Sequence, residues 1–215
     1  MNKIITKNII FDMDGTLLDS LSVWADSDRE FINGYGYDYD PVHSLAMKKM
    51  HFDSACEYLV ETFSLPFSAA ETGERILKIV EKRYLDGISL KDGAEEFIKA
   101  ADSAGIKMCV ATSNKKKLAE DALKARGIMQ YMEFVLTSDE VGCGKESPEI
   151  FLKAAEMLGA EPDRITVFED SIHAVLSAKK AGFNVVGVYD PLCEEEFSLI
   201  GKEADITIKS FEELL

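Results

Sequence analysis

Short, unbroken apolar runs recur along the chain, and stretches of helical periodicity separate them. Asn8-Ile9-Ile10-Phe11 leads into Asp12, and Lys107-Met108-Cys109-Val110-Ala111 leads into Thr112. Phe134-Val135-Leu136, Ile165-Thr166-Val167-Phe168 and Val185-Val186-Gly187-Val188 follow, with 206–208 a weaker last candidate. Continuous rather than alternating runs predict strands covered on both faces, as in a parallel sheet. The stretches 93–104, 115–126, 148–158 and 171–181 read as amphipathic helices, closed by Gly105, Gly127, Gly159 and Gly182 as helix ends prefer. Strand–helix alternation of this kind predicts an α/β protein with a doubly wound parallel sheet, a Rossmann-like core.

The alternation is interrupted once. After Asp12 no second strand is expected until about residue 107, and 20–33, 41–62 and 67–86 read as helices. Residues 18–87 therefore predict an α-helical cap domain inserted into a Rossmann-like core made of 1–17 and 88–215. A chain of 215 residues can bury such a core without disulfides or structural metals. The four cysteines have no C-x-x-C spacing, and three scattered histidines make no zinc signature. With 24 Lys and Arg against 39 Asp and Glu, the net charge is −15. That excess argues against nucleic acid or an anionic membrane as partner, because both require a cationic footprint. No run approaches the ~18–20 apolar residues of a membrane span, and residues 1–10 do not resemble a leader. A cytoplasmic monomer is the expectation.

Candidate chemistry gathers at strand ends. Asp12-Met13-Asp14-Gly15-Thr16 follows the first run directly. At average residue usage D-x-D-G-T arises by chance at roughly one start position in 10⁵, and the carboxyl ends of strands are where open α/β sheets place their sites. Residues i and i+2 of an extended chain share a face, so both aspartates can address one crevice. One ionised carboxylate there can act as a nucleophile without a base, and its neighbour, repelled by it, can carry a proton. Glu169-Asp170 ends another run in the same way. So many carboxylates in one crevice require a cation, and hard oxygen ligands select Mg²⁺. Thr112-Ser113-Asn114 offers donors for an anion where a helix begins, and Lys145 sits in a glycine-rich loop from which it could neutralise both carboxylates and a phosphate.

With these four segments in this order, the chain resembles the haloacid dehalogenase-like hydrolases, in the branch with a small helical cap (phosphatases and β-phosphoglucomutase-like enzymes). Gly144-Lys145-Glu146-Ser147-Pro148 and Val167-Phe168-Glu169-Asp170-Ser171 add to the likeness. The resemblance implies that Asp12 attacks phosphorus and becomes an aspartyl phosphate, while Asp14 protonates the leaving oxygen and then activates water. Thr112 and Lys145 would hold phosphoryl oxygens, and Mg²⁺ would bind Asp12, the Asp14 backbone carbonyl and Asp170, with Glu169 close by or acting through water. Gly15, Thr16, Ser113, Asn114, Trp24 and Lys49 are the expected substrate contacts, although an aromatic such as Trp24 on an amphipathic helix is more often core. The resemblance also has departures. Glu146 stands where relatives often carry proline, and Ala174 where glycine is common. The mutase branch has a cap histidine and a cap arginine; here those positions fall at Trp24 and near Phe52, with Lys48, Lys49 or His51 as replacements for the arginine. Lys48 and Lys49 also leave a Schiff-base lysine open, as in phosphonoacetaldehyde hydrolases. The reading is a Mg²⁺-dependent phosphatase of a small phosphorylated metabolite. A phosphomutase and a non-catalytic phospholigand-binding protein are its alternatives. Asp19 and Ser20 are expected to cap the first inserted helix, Lys115–Lys117 to form a solvated turn, and His173 to pack or lie at the surface.

Overall fold

The computed structural model describes residues 5–47, 50 and 52–215. β1 (Asn8–Phe11) is followed by α1 (Val23–Gly34), α2 (Pro41–Met47), α3 (Phe52–Phe63) and α4 (Ala69–Asp86) before any second strand. The chain then runs α5 (Ala94–Ser103), β2 (Lys107–Thr112), α6 (Lys116–Ala125), β3 (Val135–Thr137), α7 (Ser138–Val141) and α8 (Glu149–Leu158). It ends with β4 (Ile165–Glu169), α9 (Ile172–Lys180), β5 (Asn184–Val188), α10 (Glu194–Glu203) and β6 (Ile206–Ile208). All six strands are parallel, in the order β3-β2-β1-β4-β5-β6. This is the doubly wound, Rossmann-like sheet that the unbroken apolar runs predict, with a helical insertion after β1.

Both faces of the sheet are buried. Ile10, Cys109, Val167 and Val185 point to one side, into a cluster with Ile150, Phe151 and Ala154 of α8 and Val175 and Ala178 of α9. On the other side Phe11 and Phe168 pack with Phe97 of α5 and Phe211 near the C-terminus, with ring centroids 5.0–6.3 Å apart. Because a strand's side chains alternate between faces, covering both faces requires apolar residues at every position.

The chain divides into two compact units, Met1–Leu21 with Ser89–Leu215, and Ser22–Ile88. Within the larger unit the departing and returning segments are zipped together. Asp19 N–H donates to Ser89 O (3.0 Å) and Lys91 N–H to Leu17 O (2.9 Å). Lys91 also forms a 2.5 Å ion pair with Asp190, whose side chain is 1% exposed. Gly93 then restarts the sheet unit at φ +74°, where a Cβ would lie 2.6 Å from Glu212 N.

In the helical unit α4 packs against α1 and α3, burying Phe31, Ile32, Leu59, Phe63, Ile76 and Val80. Its N-terminus carries a reciprocal cap. Ser68 Oγ accepts from Glu71 N–H (3.2 Å), and Ser68 N–H donates to Glu71 Oε2 (2.9 Å). The stretch 41–62 contains two helices, 41–47 and 52–63, rather than one. Among the described residues no helix is long and apolar enough to cross a membrane.

Candidate active site

Strand register sets the site. Phe11 pairs with Phe168 and with Val110, so the residues after β1, β4 and β2 emerge side by side at the carboxyl edge of the sheet. Asp12 N–H donates to Phe168 O (2.9 Å), which fixes Asp12 beside Glu169. The strand order turns back between β1 and β4, the point at which open α/β sheets leave a crevice.

Asp12, Glu169 and Asp170 are all buried, and each offers a carboxylate oxygen within 4.8 Å of the others. Like charges at that separation repel by about 3 kcal/mol per pair at an effective dielectric near 20. One lysine is set against them. Lys145, delivered by the loop between α7 and α8, donates to Asp12 Oδ1 and to Glu169 Oε1 (2.8 Å). Ser171 N–H occupies Glu169 Oε2 (3.0 Å), and the Thr16 hydroxyl donates to Asp170 Oδ1 (2.9 Å). Asp12 Oδ2 is buried and has no hydrogen-bond partner among the described residues.

Protonation follows from this crowding. Burial raises the Glu169 carboxyl to about 7, with Lys145 lowering it and Asp12 raising it further. Burial, then the charges of Asp12 and Glu169, hold Asp170 well above the ordinary carboxylate range. Burial disfavours the Lys145 ammonium, but Asp12 and Glu169 outweigh it and keep the lysine firmly charged. Three buried carboxylates, one lysine and an orphaned oxygen fit a hard cation with oxygen ligands.

A cleft of about 410 Å³ opens here, lined among others by Asp12, Asp14, Thr112, Ser113, Lys145 and Asp170. Asp14 is not one of the three carboxylates that gather within 4.8 Å of one another, and it has donors of its own. Ser20 Oγ donates to Asp14 Oδ1 (2.7 Å) and Asn114 Nδ2 to Asp14 Oδ2 (3.3 Å). Two expected substrate contacts are committed elsewhere: Thr16 is fully buried on Asp170, and Gly15 N–H donates to Leu18 O (2.9 Å). Gly15 adopts φ +88°, and a Cβ there would sit 2.8 Å from Asp170 Cγ. Its role in the fold is close packing beneath the carboxylates. Trp24, in the helical unit, is 43% exposed and meets Phe52 edge-on at 5.6 Å. Lys49, with Lys48 and His51, lies outside the described residues.

Ser20 departs from its expected placement, while exposed His173, Glu146 and the solvated Lys115–Lys117 keep theirs and add contacts. Ser20 holds Asp14 and caps nothing; the N-cap of α1 is Ser22. His173 and Glu146 both line the cleft. The Glu146 carboxylate folds back over Gly144, where a side chain would collide with it. Lys115, Lys116 and Lys117 are ion-paired with Asp139, Glu140 and Asp121. Of these contacts, the Lys117–Asp121 pair, four residues apart on α6, and the first-turn position of His173 behind Glu169-Asp170 have a signal in sequence spacing.

A sequence profile described as haloacid dehalogenase-like hydrolase matches residues 9–188. The chain is 28% identical over 186 residues to a phosphorylated carbohydrates phosphatase of Thermotoga maritima, covering 86% of each protein. It is 29% identical over 181 residues to a bifunctional riboflavin kinase/FMN phosphatase of Arabidopsis thaliana, covering 84% of this chain but 48% of that relative, so it spans about half of that protein's length. Among solved structures, a Thermotoga maritima protein provisionally described as a β-phosphoglucomutase superposes with a TM-score of 0.86 at 27% identity, covering 94% of both chains.

Proposed function

The chain belongs to the haloacid dehalogenase-like hydrolases, and on that premise we propose that it is a Mg²⁺-dependent phosphatase of small phosphorylated metabolites, sugar phosphates or similar monoesters. The observation that carries this reading is the division of labour among the carboxylates. Asp12 is buried against Lys145 with one oxygen lacking a partner among the described residues, Glu169 and Asp170 stand beside it, and Asp14 accepts from Ser20 and Asn114.

In this reading Asp12 attacks the phosphorus of the monoester. A bond forms between its carboxylate oxygen and phosphorus, the bond from phosphorus to the leaving oxygen breaks, and Asp14 gives that oxygen a proton. Asp14 then takes a proton from water as the water oxygen attacks phosphorus, and the Asp12–phosphorus bond breaks to release phosphate. Lys145 and Thr112 hold phosphoryl oxygens, and Lys145 also restrains Asp12. Asp12, Glu169, Asp170 and the backbone carbonyl of Asp14 would hold the Mg²⁺, which supplies charge neutralisation for the phosphoryl oxygens. Residues 18–87 would serve as the helical cap domain.

Likeness to the Thermotoga structure supports a phosphomutase as the second reading. A mutase must seat a second phosphate. Among the described residues that line the cleft, Lys145 is the one lysine or arginine, and Glu146 adds a negative charge. Trp24, standing where the mutase branch carries its cap histidine, favours hydrolysis of a monoester. Phosphate release from a panel of sugar phosphates, phosphoglycolate, nucleotides and an aryl phosphate, with Mg²⁺ or with chelator, tests the proposal. Release that needs Mg²⁺ supports it. No release from any member overturns it, and turnover activated by a sugar bisphosphate with little net release assigns the mutase instead.

A further inference from the structure

Asn114 sits at the end of β2 beside Thr112, where a phosphate contact is the simplest role for it. Its side chain goes elsewhere. The Lys115 backbone N–H donates to Asn114 Oδ1 (2.8 Å), and an N–H can only donate, so the amide is turned with Nδ2 outward. That Nδ2 meets Asp14 Oδ2 at 3.3 Å, across 100 positions of sequence. The Asn114 backbone N–H is spent on Thr112 Oγ1 (3.0 Å), which ties the residue's backbone to the strand end. Ser20 Oγ holds the other oxygen, Asp14 Oδ1, at 2.7 Å. The half-buried Asp14 carboxylate is thus gripped at both oxygens by side chains from two separate segments.

We propose that Asn114 is a positioning residue for Asp14, its fixed amide setting the direction in which Asp14 meets the leaving oxygen. The inference rests on the phosphatase reading above. An acid that must deliver a proton in the transition state loses efficiency when its direction is unset, because small misplacements of reacting groups cost large factors in rate. The loss falls on substrates whose leaving group needs the proton. An alkyl phosphate departs as a strongly basic alkoxide unless protonated, whereas a nitrophenyl phosphate departs as a stable phenolate with little help. A residue that merely gripped phosphate would affect both alike, because both present the same phosphoryl group.

The test is kcat/KM, which covers the steps through departure of the leaving group, for one alkyl and one nitrophenyl phosphate. Wild type is compared with Asn114→Ala, with Asn114→Asp, which keeps the shape and removes the donor, and with Asp14→Ala. The expected result is an alkyl-to-aryl ratio that falls about tenfold or more in both Asn114 variants and further in Asp14→Ala. Equal losses on the two substrates would overturn the proposal and return Asn114 to phosphate binding. An unchanged or raised alkyl rate would overturn it too, because Asn114 would then be idle or a restraint on Asp14. Failure of wild type on both substrates would remove the phosphatase reading, an outcome distinct from any change in ratio, and the proposal with it.

Discussion

Lys145 is held between Asp12 and Glu169, and its removal exposes what it balances. Lys145→Met leaves two buried carboxylates facing each other with no cation from the protein. Breaking a buried pair in this way typically costs about 3–5 kcal/mol. The variant should lose turnover by about 10²–10³-fold, and thermal melting should show a lowered Tm that added Mg²⁺ restores more than in wild type. Glu146 makes a gentler prediction. Its carboxylate lines the cleft, so Glu146→Gln should raise kcat/KM for a substrate with a second anionic group by about 2–5-fold relative to a neutral one, an effect that salt erodes. At this scale the carboxylates were legible in the chain. Asp12, Asp14, Glu169 and Asp170 follow apolar runs, and a strand end in a parallel sheet is where a site forms. Ser20 and Asn114 were not legible as partners of Asp14. One reaches it through a turn six residues on, and the other is its neighbour only because β1 pairs with β2.

At the scale of elements, two features govern how the helical insertion leaves and rejoins the sheet unit. Lys91 and Asp190 form a nearly buried pair, 12% and 1% exposed in their side chains. Lys91→Met strands Asp190, which also anchors Leu192 N–H at 2.8 Å, and should cost about 3–5 kcal/mol in denaturant unfolding. Gly93→Ala meets both a left-handed backbone and the main chain at Glu212, neither of which a rotamer change relieves. A loss of about 2–4 kcal/mol is expected there from strain and overpacking. The main strands and helices followed from periodicity, and Gly105, Gly127, Gly159 and Gly182 adopt the positive φ that their place after helices implies. The four-residue α7 is too short to show a period. α10 opens on three glutamates and buries only Ile200, so it presents no apolar stripe to read.

For the molecule as a whole, stability should depend on pH through the helical unit. Burial raises Asp28 on α1 from 3.8 to about 7. The folded state therefore holds a proton that the unfolded state has released. The stability this contributes is complete below pH 3.8 and is lost as pH rises through about 7. The shift corresponds to at most about 4 kcal/mol. Asp28→Asn should remove this dependence, so that the variant's Tm exceeds that of wild type above neutrality and the difference shrinks in acid. A variant curve parallel to wild type across that range would contradict the assignment.

In the proposed reaction Asp12 carries the phosphoryl group between substrate and water. Mass spectrometry of protein quenched in acid within a turnover of a nitrophenyl phosphate, whose leaving group needs little help from an acid, measures it most directly, on wild type and on Asp14→Asn, in which loss of the base should let the intermediate accumulate. The expected result is one added phosphoryl group on the peptide that contains Asp12, more of it in Asp14→Asn and none in Asp12→Asn. Mg²⁺-dependent phosphate release with no adduct at Asp12 in either protein would contradict it.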